Sequence, residues 1–440
     1  MKILENGSYW AEDLARELGQ AYTSLTQSQD ADLLIVGGGF AGLSAALHYK
    51  SEHPTRDIIL LDAHWPGFGA SGRNAGFVES HLMAMSWLLE GSLPEVEQAW
   101  AMNALLRRFD RTLEYIKTLN IEAELRPCKG VLNAPSYLAE DILRNLQEGM
   151  REYGLHASWK TAAEALAEYG CTGHGALVTD SYSVHPLRFA LGLAQAAQQA
   201  GVRIYGGTAV QTLQAQGDGI EAWTTGGYSV RANRCVIAAN AWAKRLGLAT
   251  TEIDAGKAAS CTMIASAPLA PEVLEQAGTD TGAMVAELTM GLSYRRIHKG
   301  RVLYGGFDDS SVEAISAPSL KNAEKLVKSA KKEMPWLADT EFEYVWSGPI
   351  FTPGNDLPAI VPVPHLPRTA VITGNGSSGV PWALVAGGLV GGLISEGYEG
   401  DAEGERLRRA MLDTRVSLMA LAGIGVRAVW HSIKETVRSL

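Results

Sequence analysis

Residues 37–42 form a glycine-rich turn of the kind that binds the phosphates of a dinucleotide. The sequence Gly-Gly-Gly-Phe-Ala-Gly fits the pattern G-x-G-x-x-G, with Gly37, Gly39 and Gly42 at the three glycine positions. In this pattern the first glycine permits the tight turn, the second lets the backbone approach the pyrophosphate, and the third lets helix pack against strand. The helix amino end offers free N–H groups to phosphate, so Phe40 and Ala41 are candidate ligands as well.

The segments on either side of the turn make a chance match improbable. The apolar run at 33–36 predicts a buried parallel strand, and 40–50 has helical spacing. A second strand predicted at 57–62 ends in Asp62, whose carboxylate is a candidate acceptor for ribose hydroxyls. The sequence therefore predicts a complete βαβ unit for dinucleotide binding.

A second loop of small residues at 67–76 follows the predicted second strand directly. A protein that binds NAD has little use for such a loop, whereas the longer FAD molecule runs on past its pyrophosphate toward a ring. Ala70 and Ser71 are candidate phosphate ligands, and Arg73 and Asn74 are candidates to flank the flavin. The loop therefore favours FAD over NAD.

A third glycine-rich turn, 374–379, lies between a strand predicted at 369–374 and an apolar helix. Such a turn points N–H groups at an anion, and a structural turn is the alternative. Reduced flavin carries negative charge near N1 and O2, so amides aimed there favour the reduced state. The candidate cofactor residues of this turn are Gly374, Gly376, Ser378, Gly379 and Val380.

Charge and cysteine content exclude other classes of protein. The formal net charge of −10 argues against nucleic acid, which requires clustered Lys and Arg. The four cysteines are far apart and form no CxxC pair, so neither a metal site nor a disulfide framework is expected. Residues 1–30 lack the apolar core of a signal peptide, and the apolar run 379–394 is shorter than the roughly 20 residues that span a bilayer. We expect a cytoplasmic protein with a buried helix at that run.

The remaining pattern alternates helices and strands. Helices are predicted at 93–119, 138–153, 186–200 and 319–334, and further strands at 202–205, 219–223, 229–239, 260–266, 292–297 and 301–307.

The three loops, in this order and spacing, resemble the D-amino acid oxidase superfamily of flavoproteins, to which glycine and sarcosine oxidases belong. Residues 36–44 and 67–76 are most similar to the gamma-glutamylputrescine oxidase group. The resemblance implies an α/β fold in which a Rossmann-like FAD-binding domain is interleaved with a substrate domain containing a mixed β-sheet, followed by C-terminal helices. It also implies cofactor contacts at Val210 and Ala239. The implied boundaries are 27–88, 160–248 and 355–402 for the FAD-binding domain, 89–159 and 249–354 for the substrate domain, and 403–440 for the helical extension.

Three departures from that superfamily sharpen the expectation. The arginine that clamps a substrate carboxylate in glycine oxidase-like members is missing, because Ile350 follows Trp-Ser-Gly-Pro at 346–349. The lysine that assists oxygen near flavin N5 in sarcosine oxidase-like members is replaced by Leu303, which leaves the acceptor open between oxygen and a quinone. No cysteine follows Cys261, and Arg73 stands where some members carry a histidine, so FAD is expected to be non-covalent.

The resemblance implies an FAD-dependent oxidative deamination of a primary or secondary amine, such as a polyamine or amino-acid derivative. Hydride would pass to flavin N5, and the imine would then hydrolyse. The predicted pocket walls are Tyr294, Arg295, Phe351 and Trp382, for which core packing or surface exposure is the alternative.

Two other functions stay open: a quinone-linked amino-acid dehydrogenase, and a flavin-bearing subunit active only with a partner. A basic amphipathic helix predicted within 419–438 would either lie on a membrane or dock on a protein surface.

Overall fold

The computed structural model contains two β-sheets with helices packed on them. It describes residues 1–5, 7–14, 22–79, 95–152, 154–248, 250–288, 292–311, 318, 320–352, 358–376, 379–394 and 401–413. Ser378 and residues 414–440, with the predicted amphipathic helix, lie outside the described residues.

The strands are β1 Lys2–Ile3, β2 Gln29–Val36, β3 Ile58–Leu61, β4 Phe77–Val78, β5 Arg126–Asn133, β6 Ala157–Thr161, β7 Gly175–Ser183, β8 Arg203–Tyr205, β9 Val210–Gln216, β10 Gly219–Thr224, β11 Ser229–Ile237, β12 Lys257–Ser266, β13 Met284–Leu288, β14 Leu292–His298, β15 Arg301–Ser311, β16 Phe342–Thr352, β17 Ala359–Pro362 and β18 Thr369–Thr373. The α-helices are Tyr9–Asp13, Phe40–Glu52, Glu95–Thr118, Tyr137–Glu152, Ala162–Tyr169, Pro186–Gln199, Thr251–Ala255, Pro271–Leu274, Leu320–Glu333, Gly379–Leu389, Gly391–Ile394 and Ala402–Asp413. Short 3-10 helices are Ala70–Gly72, Asn240–Leu246, Glu275–Ala277 and Pro335–Leu337.

The smaller sheet has the order β17-β18-β11-β2-β3-β8, and β10 and β9 extend it as a meander beside β11. All neighbours from β18 to β8 pair in parallel. Leu33, Leu34 and Ile35 of β2 are fully buried, as expected for a parallel strand covered on both faces. This is the Rossmann-like α/β arrangement that the sequence predicts.

The larger sheet is mixed. Its order is β1-β16-β12-β15-β14-β13-β5-β7-β4, with β6 beside β7. The pairs β1–β16 and β13–β5 are parallel, and the pairs from β16 through β13 are antiparallel. Strand β7 belongs to this sheet, so the predicted FAD-binding segment 160–248 contributes strands to both sheets. The predicted domain boundaries stay a proposal.

Two helices cross closely behind the smaller sheet. The Ser44 hydroxyl of helix Phe40–Glu52 donates to the Leu384 carbonyl of helix Gly379–Leu389 at 2.6 Å. A Cβ atom at Gly387 would lie 2.6 Å from the Ala45 nitrogen, so only glycine permits this approach. The apolar run at 379–394 thus forms buried helix, and among the described residues no helix has the length and hydropathy to cross a membrane.

This crossing yields a stability prediction with a matched control. The free energy of unfolding of the Gly387→Ala variant is expected to be lower by about 1–3 kcal/mol, because the new methyl overlaps the neighbouring helix backbone. Gly388→Ala places its methyl 3.4 Å from the His48 Nε2, an ordinary contact, and gains up to about 1 kcal/mol of helix propensity. Thermal unfolding followed by circular dichroism should therefore give a lower midpoint for the first variant only. Equal midpoints would contradict the close crossing.

Candidate active site

A cavity of about 610 Å³ lies between the two sheets. Its volume is within the range of roughly 300–1,000 Å³ usual for small-molecule and cofactor sites. Val36, Leu61 and Ala238 line it from the carboxyl ends of the parallel strands, where ligands bind in open α/β sheets. Tyr294 and Ile350 line it from the face of the larger sheet.

The first glycine turn has no space for side chains. Gly37 has φ +109°, and an added Cβ would lie 2.6 Å from the Ala238 carbonyl oxygen. A Cβ at Gly42 would overlap the Gly37 carbonyl oxygen. Gly42 therefore serves the close packing of helix on strand, while Gly37 and Gly39 line the cavity.

Asp62 and Ser71 hold the turn from two sides. The Asp62 carboxylate accepts from the backbone N–H of Gly38 at 2.7 Å and of His64 at 2.8 Å. Burial raises the pKa of Asp62 above its ordinary value, and the two backbone hydrogen bonds oppose that rise. The Ser71 hydroxyl accepts from the Phe40 N–H at 2.9 Å, which joins the second loop to the helix amino terminus.

Arg73 is the buried cation of the second loop. Its Nε donates to the Phe68 carbonyl at 2.8 Å and its Nη1 to the Ser347 carbonyl at 3.0 Å. Its Nη2 is buried and has no hydrogen-bond partner among the described residues, although Arg73 lines the cavity. Burial lowers the pKa of Arg73 to about 10, so the guanidinium stays charged at neutral pH. An acceptor in the cavity would satisfy this nitrogen.

The Asn74 side chain is used within the second loop. Its Nδ2 donates to the carbonyls of Ala70 and Ser71 at 3.0 and 2.9 Å, and its Oδ1 accepts from the Gly76 N–H at 2.8 Å. Asn74 therefore fixes the shape of the loop while also lining the cavity.

The third turn leads into the helix Gly379–Leu389, whose amino end faces the cavity through Gly379 and Val380. Gly374 has φ +77° and donates to the Asn240 Oδ1 at 3.1 Å. Gly376 has φ +56°, donates to the Phe351 carbonyl at 3.2 Å, and lines the cavity.

A tyrosine–cysteine pair marks the wall formed by the larger sheet. The Tyr294 hydroxyl lies 2.6 Å from the Cys261 Sγ, and the thiol also donates to the Gly306 carbonyl at 3.3 Å. Burial raises the pKa of Tyr294 well above its ordinary value, so the phenol stays protonated. Met263 and Ile350 flank the pair with apolar surface.

Most of the predicted site residues meet at this one cavity. The predicted residues that line it are Gly37, Gly39, Phe40, Ala41, Asp62, Ala70, Ser71, Arg73, Asn74, Val210, Ala239, Gly376, Gly379, Val380 and Tyr294. Those that do not line it are Gly42, Gly374, Arg295, Phe351 and Trp382.

Strand and helix periodicity explain why three predicted pocket walls lie elsewhere. Arg295 follows Tyr294 in β14, so its side chain points to the opposite face, where it donates to the Tyr169 carbonyl. Phe351 likewise follows Ile350 in β16 and is buried; only its carbonyl serves the site, by accepting from Gly376.

Trp382 lies on the wrong side of its helix. Val380 and Ala383 line the cavity at positions i and i+3, which share a helix face, whereas Trp382 is buried in the core beside Leu384. All three corrections have the same cause: the neighbour in sequence occupies the side of the element that faces the cavity.

Leu303 is also misplaced by the sequence comparison. It is fully buried, packs with Trp346 and Met263, and is not among the lining residues. Leu303 therefore gives no support to either electron acceptor, oxygen or a quinone.

Several lining residues were not predicted. His64 and Phe68 stack with ring centroids 3.8 Å apart, and Trp242 and Arg245 line the cavity from the 3-10 helix Asn240–Leu246. Cys261 and Met263 alternate on β12, and this i, i+2 spacing on a predicted strand is the signal that could have found them.

Fold and cavity define the class of this protein: a dinucleotide-binding α/β protein with a second, mixed sheet that forms one wall of its cavity. Residues 32–393 match the DAO family model, described as FAD dependent oxidoreductase. The chain belongs to this family, and its cofactor is FAD.

Individual relatives agree with this assignment. The chain is 27% identical to the probable oxidoreductase OrdL of Haemophilus influenzae over 399 residues, 87% of this chain and 86% of that protein. It is 27% identical to the gamma-glutamylputrescine oxidoreductase of Escherichia coli, over 87% of each chain. The structure superposes on glycine oxidase from Geobacillus kaustophilus with a TM-score of 0.70 and 23% identity, over 83% of this chain and 94% of that one. The resemblance drawn from the sequence is confirmed.

The residues present fit FAD. A buried nitrogen of the Arg73 guanidinium has no described partner at the cavity. The amino end of a helix faces the cavity, and so does a glycine turn that has no room for a Cβ atom. The Asp62 carboxylate lies at the end of β3. We propose that the first turn and Ser71 hold the diphosphate and that Asp62 binds the ribose. The flavin would then extend past Arg73 toward Gly376 and Val380.

A pair of arginine variants tests this placement. Arg73→Lys is expected to weaken FAD binding roughly tenfold or more. Lysine keeps the charge, but it lacks the planar guanidinium that bonds both carbonyls and points Nη2 at the cofactor. Arg295→Lys is the control, since Arg295 is equally buried on the far face of the larger sheet. Titration of FAD-free protein, followed by flavin fluorescence, gives both dissociation constants. Equal losses in the two variants would argue against Arg73 at the flavin.

Proposed function

We propose that this protein oxidises a small primary or secondary amine at the C–N bond. The substrate becomes an imine, which water hydrolyses to a carbonyl product and an amine or ammonia. The C–H bond breaks and its two electrons leave with one proton as hydride, while the nitrogen lone pair forms the C=N bond; the N–H proton of the resulting iminium then passes to water. Bound FAD supplies the two-electron acceptor. The observation that carries the proposal is the uncharged character of the wall formed by the larger sheet.

That wall is built from a thiol, a thioether, a phenol and apolar side chains. Of the described residues of the larger sheet that line the cavity, none is charged: Cys261, Met263, Tyr294, Gly348, Pro349 and Ile350. Desolvation in such surroundings disfavours an ammonium and favours the free amine. The free amine is the reactive form, because its lone pair assists loss of hydride from the adjacent carbon.

Tyr294 is the polar group best placed to orient the substrate. Its phenol stays protonated, and its contact with the Cys261 thiol limits the directions the hydroxyl can take. A hydrogen bond from this hydroxyl to the substrate would position the carbon that loses hydride. Met263 and Ile350 would keep water from that carbon.

The curated relatives support an amine donor. The Escherichia coli protein is named as an oxidoreductase of gamma-glutamylputrescine, a derivative of a diamine. Ile350 lines the cavity at the position where glycine oxidase-like members were expected to carry a carboxylate-binding arginine. A substrate whose reacting carbon lacks a carboxylate fits this apolar wall.

One observation favours a second candidate, an amino acid. The Arg73 Nη2 is buried in the cavity wall without a described partner, and its N–H would donate to a carboxylate oxygen of such a substrate instead of to the flavin. In either case the two electrons pass from FAD to oxygen or to a quinone.

Anaerobic bleaching of the bound flavin tests the proposal. The purified holoenzyme is mixed without oxygen with mono- and diamines, N-alkyl amines and amino acids, and the yellow absorbance is followed. We expect diamines or their acylated derivatives to bleach it. Bleaching by amino acids alone would favour the second candidate. A flavin that dithionite reduces but that no amine or amino acid reduces would overturn both. Comparing oxygen uptake with dye reduction then identifies the acceptor class.

The phenol gives a kinetic prediction. Tyr294→Phe is expected to raise KM or lower kcat so that kcat/KM falls roughly tenfold, which corresponds to about one hydrogen bond. Tyr304→Phe is the control, because Tyr304 lies in the same sheet but faces away, with its hydroxyl 2.8 Å from the Glu333 Oε1. A loss in both variants would point to the sheet and not to the site.

The pH profile gives a further prediction. Because burial raises the pKa of Tyr294, the phenol holds its proton throughout the range below pH 10. Any alkaline decline in the kcat/KM of the wild type should therefore also be present in the Tyr294→Phe variant. Steady-state rates between pH 6 and about 10 check this.

A further inference from the structure

The carbonyl groups at the carboxyl-terminal end of the second loop, from Gly72 to Asn74, are bonded by donors that lie outside the cavity. The Gly72 carbonyl accepts from the Ser8 hydroxyl at 2.7 Å, and the Asn74 carbonyl accepts from the Trp10 indole N–H at 2.7 Å. Between them, the Arg73 carbonyl accepts from the Trp346 indole N–H at 2.8 Å. None of these three donors is among the residues that line the cavity.

The Arg296 guanidinium lies beside the next two carbonyls, and its closest acceptor is the Val184 carbonyl at 2.7 Å. Arg296 Nη1 lies 3.3 Å from the Ala75 carbonyl oxygen and 3.4 Å from that of Gly76. The Arg296 guanidinium lies over the Trp10 ring, 5.4 Å from its centroid. The loop is thus bound along one edge by the N-terminal segment 7–14 and by two residues of the larger sheet.

This edge-on binding has an electrostatic consequence. A peptide group that turned its carbonyl oxygen into the cavity would repel the phosphates and the electron-rich pyrimidine edge of a flavin. Donors outside the cavity hold the oxygens away, so the loop presents the Arg73 guanidinium and the Ser71 hydroxyl instead.

We propose that Ser8 and Trp10 are positioning residues of the FAD site, through which the N-terminal segment holds the second loop in its cofactor-binding shape. Both side chains are almost fully buried, at 2% and 0% exposed, so their donors cannot exchange with water without undocking the segment. The inference rests on the proposed placement of FAD beside Arg73.

Variants that remove one donor each test the inference. Ser8→Ala and Trp10→Phe are each expected to raise the FAD dissociation constant roughly five- to tenfold, which corresponds to one buried hydrogen bond. The dissociation constant is measured by titrating FAD-free protein, and the visible absorption bands of the bound flavin report the shape of the site.

The neighbouring Tyr9 provides the matched control. Its hydroxyl lies 2.9 Å from His298 Nδ1 and touches no carbonyl of the loop, so Tyr9→Phe should lower the unfolding temperature without changing FAD affinity. Leu14→Ala removes packing from the same segment and controls for the volume lost in Trp10→Phe. If all four variants bind FAD with the wild-type constant, or all four lose affinity in proportion to stability, the inference is wrong.

Thermodynamic linkage gives an independent measurement. If the docked segment favours FAD binding, bound FAD must favour the docked segment to the same extent. Hydrogen exchange of the amides in 7–14 should therefore slow when FAD is added to the wild type, and should slow less in Trp10→Phe. Unchanged exchange in the wild type would overturn the inference. A wild type that binds no FAD would instead overturn the proposed cofactor site, so the two failures are distinguishable.

Discussion

A buried site for a diphosphate depends on which end of the peptide dipole faces the cavity. In the proposed placement of FAD, three turns meet this requirement in different ways, the first two at the diphosphate and the third at the flavin. At Gly37 a positive φ and the absence of a side chain let backbone N–H groups approach the ligand, and at Gly379 a helix begins facing the cavity. The second loop also has glycines with positive φ, Gly67 and Gly76, and in addition its carbonyls at Gly72 and Asn74 are bonded by the side chains of the N-terminal segment. Its orientation therefore depends on the tertiary structure as well as on its own residue Asn74.

That difference explains how far the sequence alone could lead. The βαβ unit was predictable because its signals are local: a buried run, glycines at fixed spacing, and an acidic residue at the end of the next strand. The structure places all three where the pattern requires them, with Asp62 bonded to the turn. The mixed sheet was predictable only through resemblance. Its strands pair across long stretches of chain, as β5 does with β13, and no local pattern specifies such partners.

The errors at the substrate side have a single physical origin. Resemblance located the correct strands and helix but could not determine which of two adjacent residues faces inward. A shift of one residue in a strand reverses the side chain's direction, so Tyr294 lines the cavity and Arg295 does not. The N-terminal segment was missed for another reason. Ser8 and Trp10 form hydrogen bonds with a loop more than sixty positions away in the sequence. A serine beside aromatic residues is not a sequence pattern that predicts such contacts.

The two sheets divide the electrostatic work of the site. The described charged side chains that line the cavity, Asp62, Arg73 and Arg245, come from loops around the smaller sheet, whereas the lining from the larger sheet is uncharged. A cofactor with a diphosphate needs the first environment, and an amine that must give up its proton needs the second. Arg73 is buried between these two environments, and the loss of hydration lowers its pKa to about 10. The guanidinium stays charged at neutral pH because this lowered pKa is still about 10, and with Nε and Nη1 bonded to carbonyls its Nη2 is left as a cationic donor at the cavity.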